Sequence, residues 1–180
     1  MDRWRILVVD DNQDTLDLIR MSLEEEYDVL TLDNPIQTPD ILTVFEPDLV
    51  VLDVMMPKVS GFQLIEYMKK SKDFKDIPVV FLTAKGAISD QKYGYTLGAS
   101  LYLTKPFQPS RLLKNIKLMF QNMAEQRKPK KYSMREVELR LSLQATYKRS
   151  TQEPAINDAG KTEGAKAKAD ETTKKNLWLD

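Results

Sequence analysis

Apolar and polar positions alternate in a regular way along the first two thirds of the chain. Four compact apolar runs stand out: Ile6-Leu7-Val8-Val9, Leu49-Val50-Val51-Leu52, Val79-Val80-Phe81-Leu82 and Leu101-Tyr102-Leu103. They stop at Asp10-Asp11-Asn12, at Asp53, at Thr83-Ala84 and just before Lys105-Pro106. Val29-Leu30-Thr31-Leu32 is a weaker run between the first two. Short continuous apolar runs bounded by polar residues predict strands buried on both faces, as in a parallel sheet. Helical spacing fills the gaps. Leu16, Ile19 and Leu23 recur at i, i+3 and i+7 behind Asp14, which reads as an N-cap. Thr38-Pro39-Asp40 pairs an N-cap with proline at the first helical position, ahead of Ile41, Leu42, Val44 and Phe45. Phe62, Ile65 and Met68 repeat the pattern after Gly61, and Leu112, Leu113, Ile116, Leu118, Met119 and Met123 close the series. A weaker helix falls over residues 89–97. Strand and helix alternating through short links predict an α/β fold: a parallel sheet, helices on both faces, right-handed crossovers.

After Met123 the pattern changes. Residues 125–136 form a basic, proline-interrupted linker around Gln126-Arg127-Lys128-Pro129-Lys130-Lys131. Over residues 137–148 the apolar positions Val137, Leu139, Leu141, Leu143, Ala145 and Tyr147 repeat with a period of two. On a helix they would split into opposed stripes, so the spacing predicts an amphipathic strand. Residues 149–180 are polar, rich in Ala, Lys, Thr and Glu, and without period, which predicts disorder. The apolar triplet Leu177-Trp178-Leu179 closes them.

Composition narrows the chemistry. The chain has 180 residues, 42% hydrophobic and 30% charged, enough for one core domain and an appendage. No apolar run approaches the roughly 18 residues a membrane span needs, so a cytoplasmic chain without anchor or leader is expected. There is no cysteine and no histidine. Disulfides, thiol catalysis, thiolate metal sites and imidazole acid–base work are thereby excluded. Carboxylates, hydroxyls and lysine remain. The formal net charge of zero hides an asymmetry, with 14 lysines and arginines against 18 acids in residues 1–124, and 13 against 9 in residues 125–180.

A parallel sheet gathers its strand C-termini on one edge, where ligands bind. The strand ends there carry Asp10-Asp11, Asp53, Thr83 and Lys105. With Asp53-Val54-Met55-Met56-Pro57-Lys58-Val59-Ser60-Gly61, Phe81-Leu82-Thr83-Ala84 and Gly98-Ala99-Ser100-Leu101-Tyr102-Leu103-Thr104-Lys105-Pro106-Phe107 in order, residues 1–124 resemble the receiver domain of two-component response regulators. The resemblance implies a flavodoxin-like five-stranded sheet in the order 2-1-3-4-5. It implies that Asp53 takes a phosphoryl group from a sensor histidine kinase or a phosphotransfer protein. Three convergent carboxylates call for a divalent cation, and oxygen donors suit Mg2+. By the same analogy Asp11, Asp53 and the Met55 carbonyl bind the metal directly and Asp10 binds it through water. Thr83 and Lys105 hold the phosphoryl oxygens, Tyr102 is the aromatic switch, and Lys105-Pro106 is the place of a cis peptide. Met55 and Lys85 stand at the positions that tune phosphoryl lifetime. Where the family often has an acidic residue the chain has Ser100-Leu101. An exposed Leu101 would enlarge the face of fourth helix, fifth strand and fifth helix, which the resemblance implies for homodimers or partner docking.

Three outputs follow from residues 125–180. The favoured one is a stand-alone receiver that captures a downstream protein through that face or through the tail, with residues 137–147 adding to a sheet edge. A cut at Glu125 is then expected to leave phosphorylation intact. The second is a phosphate sink or relay intermediate. The third is a DNA-associated regulator using the basic tail. Sequence-specific DNA reading is not expected, because the stretch is too short and too poor in apolar residues for a winged helix.

Overall fold

The computed structural model describes residues 3–84 and 86–152. Five parallel strands, β1 (Arg5–Val9), β2 (Asp28–Leu32), β3 (Leu49–Leu52), β4 (Val79–Thr83) and β5 (Leu101–Thr104), form one sheet in the order β2-β1-β3-β4-β5. Between and after them run α1 (Gln13–Leu23), α2 (Thr38–Phe45), α3 (Gly61–Lys70), α4 (Ile88–Thr96), α5 (Pro109–Met123) and α6 (Met134–Gln152). The α/β sheet expected from the apolar runs is present in the expected order. β1, β3 and β4 are buried at every position, which is why their sequences are apolar apart from the end residues Arg5 and Thr83. β2 lies at one edge and is half-buried except at Leu32, which accounts for its weaker pattern.

Two cores cover the sheet. On one face Leu7, Val9, Val50 and Phe81 meet Leu42 and Phe45 of α2 and Leu64, Ile65 and Met68 of α3. On the other Ile6, Val8, Val51 and Leu82 meet Leu16, Ile19 and Leu23 of α1 and Leu112, Ile116 and Phe120 of α5. Burying an aliphatic or aromatic side chain of this size stabilises by about 1.5–3 kcal/mol, so both faces are needed to offset chain entropy.

Several local expectations are corrected. The N-cap of α1 is Asn12, whose side chain accepts the Thr15 N–H at 2.8 Å, while Asp14 lies in the first turn. Thr38 is not a cap. A single 3-10 turn over Pro35–Gln37 precedes it, and Thr38 is buried inside α2. Leu101 is half-buried against the α1–α5 core and not exposed as apolar surface.

The largest correction concerns residues 137–148, which are helical within α6 and do not form a strand. Val137 and Leu141, four apart, turn toward the domain, and Val137 is only 1% exposed among the α2-side core. Leu139 and Leu143 form the opposed stripe and are exposed. The two-residue period therefore records two helical stripes of which one is docked. The sequence also carries a helix start in Ser133-Met134-Arg135-Glu136. Ser133 Oγ accepts the Glu136 N–H at 3.4 Å and Glu136 Oε2 accepts the Ser133 N–H at 2.8 Å, a reciprocal capping box. The Ser133 hydroxyl also donates to Glu136 Oε2 at 2.8 Å, and these two bonds onto the carboxylate, from the Ser133 N–H and its hydroxyl, hold the Glu136 carboxyl below its ordinary value. Residues 149–152, expected to be disordered, are the last turn of α6. Lys85 and residues 153–180, with the rest of the expected disordered tail and Leu177-Trp178-Leu179, lie outside the described residues.

Candidate functional site

The site stands at the C-terminal edge of the central strands. β1 pairs with β3 in the register Val9↔Leu52, so the next residue of each strand, Asp10 and Asp53, ends side by side. The Asp53 N–H donates to the Val9 carbonyl at 2.9 Å and the Asp10 N–H to that of Leu32 at 3.2 Å, which ties both ends to the neighbouring strand. Carboxylate oxygens of Asp10, Asp11 and Asp53 lie within 4.8 Å of one another. Asp10 and Asp53 are buried, and Asp11 is exposed. Two carboxylates about 5 Å apart repel by about 3 kcal/mol at an effective dielectric near 20.

Lysine answers part of that charge. Lys105 Nζ donates to Asp10 Oδ2 at 2.5 Å and stands 3.8 Å from Asp53 Oδ1. Its backbone N–H donates to the Thr83 carbonyl at 2.8 Å, and the Lys105–Pro106 peptide is cis. Thr83 ends β4, fully buried, opposite Thr104. Tyr102, which pairs with Phe81 across β4 and β5, turns its ring inward. Burial, then the charges of Asp90 and Asp53, push its hydroxyl up to about 12. The structure thus gathers Asp10, Asp11, Asp53 and Lys105 into one cluster, with Thr83 and Tyr102 on the adjoining strands. The Met55 side chain is exposed beside it.

The donor set fits Mg2+. All candidate ligands are hard oxygens, and Asp53 Oδ1 is a buried atom that finds no hydrogen-bond partner. When bound, the ion would neutralise the cluster and polarise phosphoryl oxygens. Burial also raises the Asp10 carboxyl above its ordinary value, against the hydrogen bond and charge of Lys105, with the Asp53 charge adding to the rise. A carboxyl raised in the fold is one whose ionised form costs stability at neutral pH, and the cost is relieved as pH falls through the folded value. Asp10→Asn is therefore expected to raise the urea midpoint at neutral pH in EDTA. It is also expected to shrink the added stability in saturating Mg2+, which at a hundredfold excess over Kd amounts to about 2.7 kcal/mol. An unchanged Mg2+ gain in the variant would count against the ligand assignment.

Three residues have roles here that the sequence reading did not assign, although Asn12 and Gly61 stood in the motifs it used. Asn12, besides capping α1, donates its N–H to Asp10 Oδ1 at 3.0 Å. Gly61 opens α3 directly against the Asp53 carbonyl, at a spacing that no side chain could share. Gly94 of α4 lies against the Tyr102 ring. The first could be suspected from an Asp-Asp-Asn strand end, the others only from a close approach in space.

Comparison with known proteins agrees with this geometry. Residues 6–117 match the family described as response regulator receiver domain, and the chain belongs to that family. It is 38% identical over 116 residues to the DNA-binding dual master transcriptional regulator RpaA of Synechocystis sp., covering 64% of this chain and 48% of that protein. It is 38% identical over 134 residues to the response regulator SaeR of Staphylococcus aureus, covering 74% and 55%. The chain spans about half the length of the curated relatives it matches. Among solved structures, the chemotaxis response regulator CheY4 of Vibrio cholerae aligns with a TM-score of 0.61 at 26% identity, over 64% of this chain and 98% of that one. The domain is thus a two-component response regulator receiver, a signalling domain of a family characterised by phosphorylation on aspartate. Among the described residues no helix is long and apolar enough to cross a membrane.

Proposed function

We propose that Asp53 is the phosphoacceptor of this receiver and that the donor is a phosphohistidine on a sensor kinase or phosphotransfer protein. A carboxylate oxygen of Asp53 attacks phosphorus as the P–N bond breaks. The electron pair stays on the imidazole, which takes up a proton, and the product is an aspartyl phosphate. Asp11, Asp53 and the Met55 carbonyl would hold Mg2+, with Asp10 through water, and the ion would supply charge neutralisation there. Lys105 transfers part of its pairing from Asp10 to the phosphoryl oxygens, and the Thr83 hydroxyl donates to another. Tyr102 and Thr83 then relay the change to the α4–β5–α5 face, where Ile88, Tyr93 and Tyr95 are exposed and available for a protein partner or a second copy.

The observation that carries this reading is the buried Asp53 Oδ1, which has no hydrogen-bond partner and faces Lys105 Nζ at 3.8 Å within the three-carboxylate cluster. The test is a phosphate-affinity gel after incubation with acetyl phosphate. A retarded band that requires Mg2+ and disappears in Asp53→Asn is expected. A band that survives Asp53→Asn would move the acceptor elsewhere. The descriptions of the relatives support a second output, control of transcription, which a mobility-shift assay with and without acetyl phosphate tests. Binding through phosphates alone falls steeply with salt.

A further inference from the structure

Gly94 sits inside α4, where glycine is the poorest helix former after proline. Its backbone needs no left-handed conformation; the constraint lies in the space beside it. A Cβ at residue 94 would stand 3.1 Å from Cδ2 and 3.2 Å from Cε2 of Tyr102, and 3.3 Å from Cδ2 of Phe81. Contacts that tight require a neighbour to yield. Phe81 is fully buried, held edge-on by Phe62 at 5.3 Å between ring centres, and has nowhere to go. Tyr102 lies at the margin of the core, 7% exposed, with Tyr95 at 6.4 Å on its outer side. Tyr102 is the ring that must give.

We propose that Gly94 is a positioning residue of the switch: the missing side chain makes the cavity that the Tyr102 ring fills when it turns inward, and so sets how readily phosphorylation at Asp53 drives that inward packing. A phosphoryl group can shift the two packings only by its differential affinity for them, so any bulk at residue 94 subtracts from it. This rests on the phosphoacceptor reading of Asp53 and adds to it a residue on another element, remote in sequence from the acidic cluster.

The probe is beryllofluoride with Mg2+, titrated by 19F NMR into the full chain carrying Gly94→Ala, Tyr102→Ala, both, or neither. In the Tyr102 background, Gly94→Ala is expected to weaken beryllofluoride affinity by about five- to tenfold. In the Tyr102→Ala background the same substitution is expected to leave affinity unchanged and to raise the thermal midpoint, because alanine improves the helix and the remaining 3.3 Å approach to Phe81 is relieved by a small shift of that ring into the space the Tyr102 ring leaves. Equal affinity of Gly94→Ala and wild type would overturn the inference. So would an equal loss in both backgrounds, the mark of a merely structural effect. A wild-type chain that melts cooperatively yet binds no beryllofluoride in Mg2+ would overturn the phosphoacceptor reading and this inference with it.

Discussion

Gly61→Ala is expected to cut phosphoryl acceptance from acetyl phosphate by about a hundredfold while the domain stays folded. A Cβ at this position would lie 2.2 Å from the Asp53 carbonyl oxygen, 3.0 Å from its carbonyl carbon and 3.1 Å from the Val54 Cα. All three are backbone atoms, so no rotamer can relieve the overlap. The start of α3 is meanwhile pinned: the Gly61 N–H donates to the Val54 carbonyl at 3.1 Å, and Ser60 and Gln63 cap the helix reciprocally. Relief must then come from moving the segment that carries the Asp53 carboxylate, by about 1 Å or more. Displacements of that size at a reacting group cost about two orders of magnitude in rate. Overpacking costs about 1–3 kcal/mol of stability, within what a domain of 5–15 kcal/mol tolerates. The rate of acetyl phosphate labelling and a thermal melt on the same preparation separate the two effects. A wild-type rate in Gly61→Ala would mean that the site yields elsewhere.

That contact could not be read from the sequence, although its neighbours could. Asp10, Asp53, Thr83 and Lys105 were legible because each follows an apolar run that a parallel sheet buries, and such a sheet has one edge for strand ends. β2 was legible only faintly, because an edge strand half in water keeps Asp28 and Thr31 among its apolar residues. The partner of Lys105 was not legible at all. Reach along a flexible stem is compatible with either carboxylate, and the structure puts its ammonium on Asp10 at 2.5 Å and at 3.8 Å from Asp53. In α6 the apolar spacing was read correctly and its meaning was not. Alternation fits a strand with one wet face and equally a helix with one docked and one free stripe. The Ser133–Glu136 box, only three residues apart, was the local signal that decided between them.

The second large effect lies at the opposite edge of the sheet, where the linker is built into the receiver. Asp48, between α2 and β3, is the hub. It accepts the Arg5 N–H at 2.9 Å and the Lys130 ammonium at 2.6 Å, with the Arg127 guanidinium at 3.6 Å. Arg5 in turn donates to the carbonyls of Phe45 and Tyr132, and Arg127 stacks over Trp4 at 4.2 Å. Side-chain exposures of 8% for Asp48 and 11% for Lys130 mark a nearly dry pair. Burial lowers the Lys130 ammonium below its ordinary value even with Asp48 beside it. Asp48→Ala would take from the nearly dry Lys130 ammonium its carboxylate, leaving it only the Glu46 carbonyl, and is expected to cost about 3–5 kcal/mol in urea denaturation. Asp48→Asn, which keeps an acceptor for the Arg5 N–H, is expected to cost less. A cut at Glu125 removes Lys130, Tyr132 and the buried Val137 together, so a truncated chain is expected to melt well below the full one. Labelling at Asp53 should survive in both Asp48 variants under conditions where they remain folded, because the hub and the acidic cluster sit at opposite ends of the strands. If Asp48→Ala instead melts like wild type, the linker contacts contribute nothing and the receiver ends at α5.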